Sequence, residues 1–217
     1  MDLVALMLAD SRFPGGGHVH SGGLEEAAAR RLVVDEASLR SFLVGRLRTA
    51  GALAAVFAAV AAAQDGYAEL DAELDARTPS PAQRAASRTQ GRGVARAATR
   101  AWPSARLEGL LRATPRPHHP IVVGVLVADP FEAAQTVAYH AVTGPATGAI
   151  RLLGLDPFGV NAVLAGLAPE IDAVAGHARD HAGTPPADLP APSAPGLDLL
   201  AEAHDRHHAE EVRLFAS

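Results

Sequence analysis

The chain has no cysteine and no lysine, and only 4% of its 217 residues are aromatic. Without cysteine there is no disulfide frame, no thiolate nucleophile and no cysteine-ligated zinc, a pattern that fits a cytoplasmic protein. Without lysine, all 19 basic residues are arginine, and a P-loop is excluded because it needs a lysine after its last glycine to reach the phosphates. Against 24 acidic residues the arginines leave a formal net charge of −5, so there is no chain-wide basic footprint for nucleic acid. The longest apolar run, residues 50 to 63, is too short and too alanine-rich to span a bilayer and reads as a buried helix. Met1-Asp-Leu-Val lacks the positive region that opens a secretory signal, so no signal peptide is expected.

What the chain does have is glycine, concentrated near its start. Phe13-Pro-Gly-Gly-Gly-His-Val-His-Ser-Gly-Gly-Leu-Glu25 holds five glycines between two apolar segments. Such a run specifies a backbone shape, a tight loop with many open N–H groups, more than a side-chain surface. A dinucleotide fingerprint would need G-x-G-x-x-G directly after a buried strand, and the preceding residues 3 to 9 are a short apolar run of either kind. The loop therefore reads as a structural turn leading into a helix at Leu24, with Glu25 and Glu26 in its first turn.

The remaining chain is helical in pattern. Asp35 is an N-cap for a core helix to about Gln64, with Arg40, Arg46 and Arg48 expected on its wetter face. A short acidic helix follows from Tyr67 to Arg77. Ser80-Pro81 opens another through about Arg100, in which Arg84, Arg88, Arg92, Arg96 and Arg100 recur every four residues along one face. That row fits a solvated face paired with upstream carboxylates, or a surface for an acidic partner or phosphate. Gly91 and Gly93 in the same helix suggest close packing or a bend. A helix from Ser104 to about Ala113 precedes Thr114 to Pro120, expected to be extended or turn-like because its three prolines exclude a regular helix. Residues 121 to 128 are apolar and read as buried strand or helix. Asp129-Pro130 starts a helix to about Val142, where Gly144-Pro145 should kink or break it before residues 146 to 153. Asp156-Pro157 and Pro169 open two more, ending near Leu167 and His181. The fold expected is all-α, a single compact domain of about eight to ten helices over residues 1 to 182. A proline-rich loop from 183 to 196 then tethers a C-terminal helix and tail, 197 to 217.

Chemistry is sparse by comparison. The ten histidines include His18 with His20, His177 with His181, and His204 with His207 or His208. Two ligands one turn apart can begin a metal site, but a structural site needs four and a catalytic one usually three. No H-E-x-x-H or G-x-S-x-G motif is present, and the paired carboxylates Glu25-Glu26 and Glu210-Glu211 diverge on a helix. A helical interaction protein is the reading that remains.

Four places then resemble one family, that of the urease accessory protein UreF. Pro14, Gly16, Gly17, Ser21, Gly23, Leu24 and Glu25 resemble its N-terminal signature of proline and glycines followed by Ser-x-Gly-Leu-Glu. Ser87, Gln90, Gly91 and Arg92 resemble its Ser-x-x-Gln-Gly-Arg. His118, His119 and Pro120 with Gly124, and then Ala149-Ile-Arg-Leu152, resemble its middle helices. His208 followed by Arg213, Leu214, Phe215 and Ser217 resembles its C-terminal ending. The chain departs from the family pattern at His18-Val-His20, where Phe-Ser-Tyr is usual. It departs again at Gly154-Leu-Asp-Pro157, where Pro-Leu-Gly-Gln is usual after Arg151.

The resemblance implies a homodimeric scaffold that binds UreD (also called UreH) and recruits the GTPase UreG, which carries nickel to apo-urease. It implies no catalytic residue and no cofactor of its own, since nickel and GTP are handled by partners, and it implies no nucleic-acid or membrane partner. The partner-binding residues implied are Gly16, Gly17, His18, His20, Ser21, Glu25, Gln90, Gly91, Arg92, Arg151, His208, Arg213, Leu214 and Phe215. The last four form a tail expected to order on binding UreD, and the glycine loop and Arg92 are candidates for the surface that faces UreG. The alternative is a metallochaperone that binds nickel through its own histidines.

Overall fold

The structure is a computed structural model that describes residues 2–10, 12–14 and 21–215, with side chains described as far as His207. Among the described residues there are eleven helices and no strand, so the all-α expectation holds. They are α1 (Leu3–Ala9), α2 (Leu24–Ala29), α3 (Glu36–Ala63), α4 (Tyr67–Ala76), α5 (Pro81–Ala101) and α6 (Ala105–Ala113). The remainder are α7 (His119–Val127), α8 (Pro130–Leu153), α9 (Pro157–Ala165), α10 (Ala168–Asp180) and α11 (Pro195–Phe215).

Most starts were written in the sequence. Asp35, Ser80, Ser104, Asp129 and Asp156 each accept a first-turn N–H through the side chain, as expected of N-caps. The core is built around α3, whose second half is almost wholly alanine, valine and phenylalanine; α7, α8 and α10 pack against it. Alanine permits close approach. At the α3–α7 crossing a Cβ added to Gly124 would lie 2.3 Å from the Ala58 carbonyl oxygen, so only glycine fits. By length and hydropathy α3 is the one described helix long and apolar enough to cross a membrane, and over half of that window is buried in the protein.

Residues 121 to 127 are helical, which resolves the strand-or-helix alternative. Pro120 occupies the first turn of α7, where a missing N–H removes no helical bond, so the helix begins at His119, inside the segment expected to be extended or turn-like. The helix carries apolar residues on all sides because it is buried on all sides: Ile121, Val122, Val123, Val125 and Val127 are all core.

The break allowed at Gly144-Pro145 and the wet-face placement of Arg46 fail together, for one physical reason. Helix α8 is not broken at Gly144-Pro145 but continues through Pro145 to Leu153. Proline lacks an N–H, so the Ala141 carbonyl one turn earlier loses its intrahelical donor. Arg46 supplies a replacement, its Nε donating to Ala141 O at 2.8 Å. Arg46 therefore points inward and is half-buried, unlike Arg40 and Arg48, which are exposed as expected. Directly after Arg46, α3 widens into a π turn, Leu47–Gly51, and Gly51 lies against the Ala141 side chain.

The proline-rich segment lies against the body. Leu189 is buried, Arg77 donates to the carbonyls of Ala187 at 2.9 Å and Leu189 at 3.3 Å, and Gln64 donates to Ala182 O at 2.8 Å. A short 3-10 turn, Pro186–Asp188, falls between these anchors, and α11 starts at Pro195, two residues before the expected position.

Candidate functional site

The second half of the glycine loop forms one wall of the site. Gly22 and Gly23 take φ of +62° and +91°, in the left-handed region where a side chain is strained, and they turn the chain into α2. Ser21 Oγ accepts the Glu25 N–H at 3.4 Å. The same Arg46 that mends α8 donates through Nη1 to Gly22 O at 2.8 Å, so one guanidinium ties α3, α8 and the loop together. Burial without a carboxylate partner pulls this guanidinium down to about 10.

Helix α11 forms the opposite wall. Glu202 Oε1 accepts from Ser80 Oγ at 2.5 Å and from the Ala82 N–H at 3.0 Å, adding an anion to the N-terminus of α5. Asp198 accepts from Gln83 Nε2 at 2.9 Å. On the other flank His207 Nδ1 lies 3.1 Å from Glu26 Oε2, and His204 Nδ1 lies 3.8 Å from Glu25 Oε2. Burial pushes the Glu26 carboxyl up, but Arg30 and His207 outweigh it and hold the group below its ordinary value.

Between these walls lies a cleft of about 910 Å³, lined by the loop, α5, α7, α8 and α11. It brings together three of the residues singled out in the sequence, Ser21, Glu25 and Gln90, with Ser87, His118 and His119 beside them. Arg92 is exposed on α5, and Arg151 is exposed in the last turn of α8, outside the cleft lining. Gly16, Gly17, His18 and His20 lie outside the described residues, as do the side chains of His208, Arg213, Leu214 and Phe215.

Below the cleft, α5 and α7 cross. Gly91 sits at the contact, where an added Cβ would be 2.1 Å from Pro117 O. The neighbouring Ser87, His118, Asp71, Asp75 and Arg88 form one polar network. His118 is 1% exposed; its Nε2 lies 2.8 Å from Asp75 Oδ1 and its Nδ1 3.0 Å from Ser87 Oγ. A carboxylate only accepts, so in the neutral ring Nε2 carries the proton and the Ser87 hydroxyl donates to Nδ1. Ser87 Oγ then accepts from the His119 N–H at 3.3 Å, and Asp71 Oδ1 from the His118 N–H at 3.0 Å. Arg88 closes the set with bonds of 2.8 Å to Asp71 and 2.7 Å to Asp75. A serine, histidine and aspartate in hydrogen-bonded series invite comparison with a hydrolytic triad, but here they satisfy the start of α7 and seal its crossing with α5. Nothing local in the sequence marks this pairing, because the partners come from α4, α5 and the start of α7.

This network makes stability depend on pH. Burial lowers the His118 pKa from its ordinary 6.5, against the pull of Asp71 and Asp75; burial likewise lowers that of His140, whose Nε2 meets Leu8 O at 3.0 Å. A depressed histidine stabilises the fold fully above its unfolded pKa, and that stability is lost as pH falls below about 6.5. The lowered Asp75 and Glu26 carboxyls add losses only in the acid range below about pH 4.5. The unfolding midpoint should therefore fall between pH 7.5 and 5.5 in the wild type and fall less steeply in His118→Gln; parallel profiles would remove His118 as the cause.

Among the described marked residues, Ser21, Glu25 and Gln90 line the cleft and Gly91 sits at the α5–α7 crossing. Among the described residues no group of three or more histidines, aspartates or glutamates is placed to hold a metal ion; His177 and His181, with rings 4.8 Å apart, supply two. Comparison with known proteins completes the assignment. The profile of the UreF family matches residues 33–168. The urease accessory protein UreF of Mycobacterium sp. (strain JLS) is 49% identical over 217 residues, covering 98% of this chain and 97% of that protein. Those of Mycolicibacterium vanbaalenii and Mycobacterium tuberculosis (strain H37Rv) are 47% and 46% identical over 220 residues, covering 98% and 99% of this chain and 97% and 98% of the relatives. The chain belongs to the UreF family of urease accessory proteins, and it is not an enzyme.

Proposed function

We propose that the chain is a cytoplasmic assembly scaffold in urease maturation: it binds UreD, recruits the GTPase UreG and so directs nickel into apo-urease, modulating GTP hydrolysis without chemistry of its own. The observation that carries this reading is the cleft, which gathers Ser21, Glu25 and Gln90 from separate parts of the chain and is walled by a C-terminal helix held largely through polar contacts. In the described part of α11 only Ala203 is buried among apolar residues, while Leu199 is 72% exposed. A helix so held leaves its far end, with Arg213, Leu214 and Phe215, to present to a partner. A homodimer is supported by exposed apolar groups where α8 meets α9: Phe158 is 85% exposed and Leu152 49%. The family's Arg151 lies beside them in sequence.

Nickel and GTP belong to the partners on this account. The test is nickel delivery in a purified system: apo-urease, UreD, UreG, GTP and nickel, with and without this chain. Urease-bound nickel, read by elemental analysis after separation, should rise severalfold only when the chain is present. Equal loading without it would reject the scaffold, and stoichiometric nickel retained on this chain would favour the metallochaperone alternative.

A further inference from the structure

The arginine row of α5 divides in the structure. Arg84 lies 3.8 Å from Asp75 and donates to Thr78 O and Pro79 O, and Arg88 is paired with both Asp71 and Asp75. The upstream acidic helix α4 thus neutralises the first half of the row. The second half has no such neighbour: Arg92, Arg96 and Arg100 are exposed, and no ion pair joins them to another described residue. These three stand one above another over two turns, about 12 Å along the axis. Like charges at that spacing repel. The row cannot turn away, because Val94, Ala95 and Ala98 on the other side of α5 are buried in the core. Nor does it follow from overall composition, since the chain carries a formal charge of −5.

We propose that Arg92, Arg96 and Arg100 form a docking strip for a partner protein that presents a row of carboxylates, an acidic helix face or loop with charges about one turn apart. Guanidinium groups meet carboxylates in paired, directional hydrogen bonds, and an array of them steers a partner of opposite charge during encounter. Carboxylates fit this strip better than a nucleic-acid backbone does, because phosphate binding draws on a wider basic footprint than three residues on an acidic chain. The inference rests on the scaffold reading, in which the partner is a component of the maturation complex. It extends that reading from Arg92 alone to a strip with a defined length and charge.

The test compares Arg92→Glu/Arg96→Glu/Arg100→Glu with an equal charge change elsewhere, Arg40→Glu/Arg48→Glu/Arg179→Glu, at exposed sites off α5. Circular dichroism and the unfolding midpoint establish that each is folded; Arg92→Gln/Arg96→Gln/Arg100→Gln serves if the glutamate strip variant is not. Binding to purified UreD and UreG is measured at low and high salt. The strip variant should lose about tenfold or more in affinity for one of them, chiefly through slower association, along with the salt dependence that the wild type shows. The off-strip variant should bind like the wild type. Where UreD or UreG binds the wild type, equal binding by all variants would overturn the proposal, as would loss of single-stranded RNA binding with protein binding intact. A synthetic glutamate-rich helical peptide provides an arm independent of the complex. If the wild type and not the strip variant binds it, the strip stands even where neither UreD nor UreG binds, and the scaffold reading fails alone. If the wild type ignores the peptide at low salt, the strip fails.

Discussion

Gly91→Ala should destabilise the protein by about 3 kcal/mol or more, although alanine in place of glycine inside a helix ordinarily gains about 1 kcal/mol. The sign reverses because of what lies above the position. An added methyl would stand 2.1 Å from the Pro117 carbonyl oxygen and 2.9 Å from both His118 C and His119 N. All three are backbone atoms, so no side chain can swing aside and α5 and α7 must separate. Separation would stretch the bonds by which Ser87 and Asp71 hold the start of α7 and Asp75 holds His118. For a domain of this size each kcal/mol corresponds to roughly 2–4 °C, so the unfolding midpoint should drop by about 6–12 °C. Gly109→Ala is the matched control. Its added methyl would meet nothing nearer than the far end of Arg112 at 3.9 Å, and it should raise the midpoint slightly. A Gly91→Ala protein as stable as the wild type would mean that the crossing is looser than its geometry indicates.

That residue also marks how far the sequence could be read. Glycine inside a helix signals close packing, as at Gly91, but the surface that closes on it is not visible in the sequence. Caps were legible because each is a local event: Asp35 and Ser38 answer one another within one turn. The course of α8 was not legible, because a proline's effect depends on whether its orphaned carbonyl finds another donor. The donor, Arg46, is 95 residues away in the chain. For the same reason the sequence pattern alone places Arg46 on the wet face. The arginine row was visible as a period of four, yet its division into a neutralised half and a free half required the position of α4. In the site, Ser21, Glu25 and Gln90 carried family marks and do share a cleft, whereas Glu202 and Asp198, which dock α11 across it, had no mark in the sequence.

The C-terminal helix is where the account can be tested most sharply, because its two halves have separate tasks. The half up to His207 is docked: Asp198 and Glu202 hold it to the start of α5, and His207 reaches Glu26 on α2. Those contacts belong to folding, and cutting the chain after His207 leaves every one of them in place. The residues then removed, 208 to 217, include His208 and the Arg213-Leu214-Phe215 ending that the family resemblance assigns to UreD. A partner that orders such a tail gains its apolar burial, worth about 1.5–3 kcal/mol for each large side chain, and loses all of it on truncation. The decisive measurement is co-purification of tagged UreD with the full chain and with the chain ending at His207, each first shown to be helical and to unfold at the same midpoint. The account requires UreD to retain the full chain and to release the shortened one; a shortened chain that still travels with UreD in equal amount would contradict it.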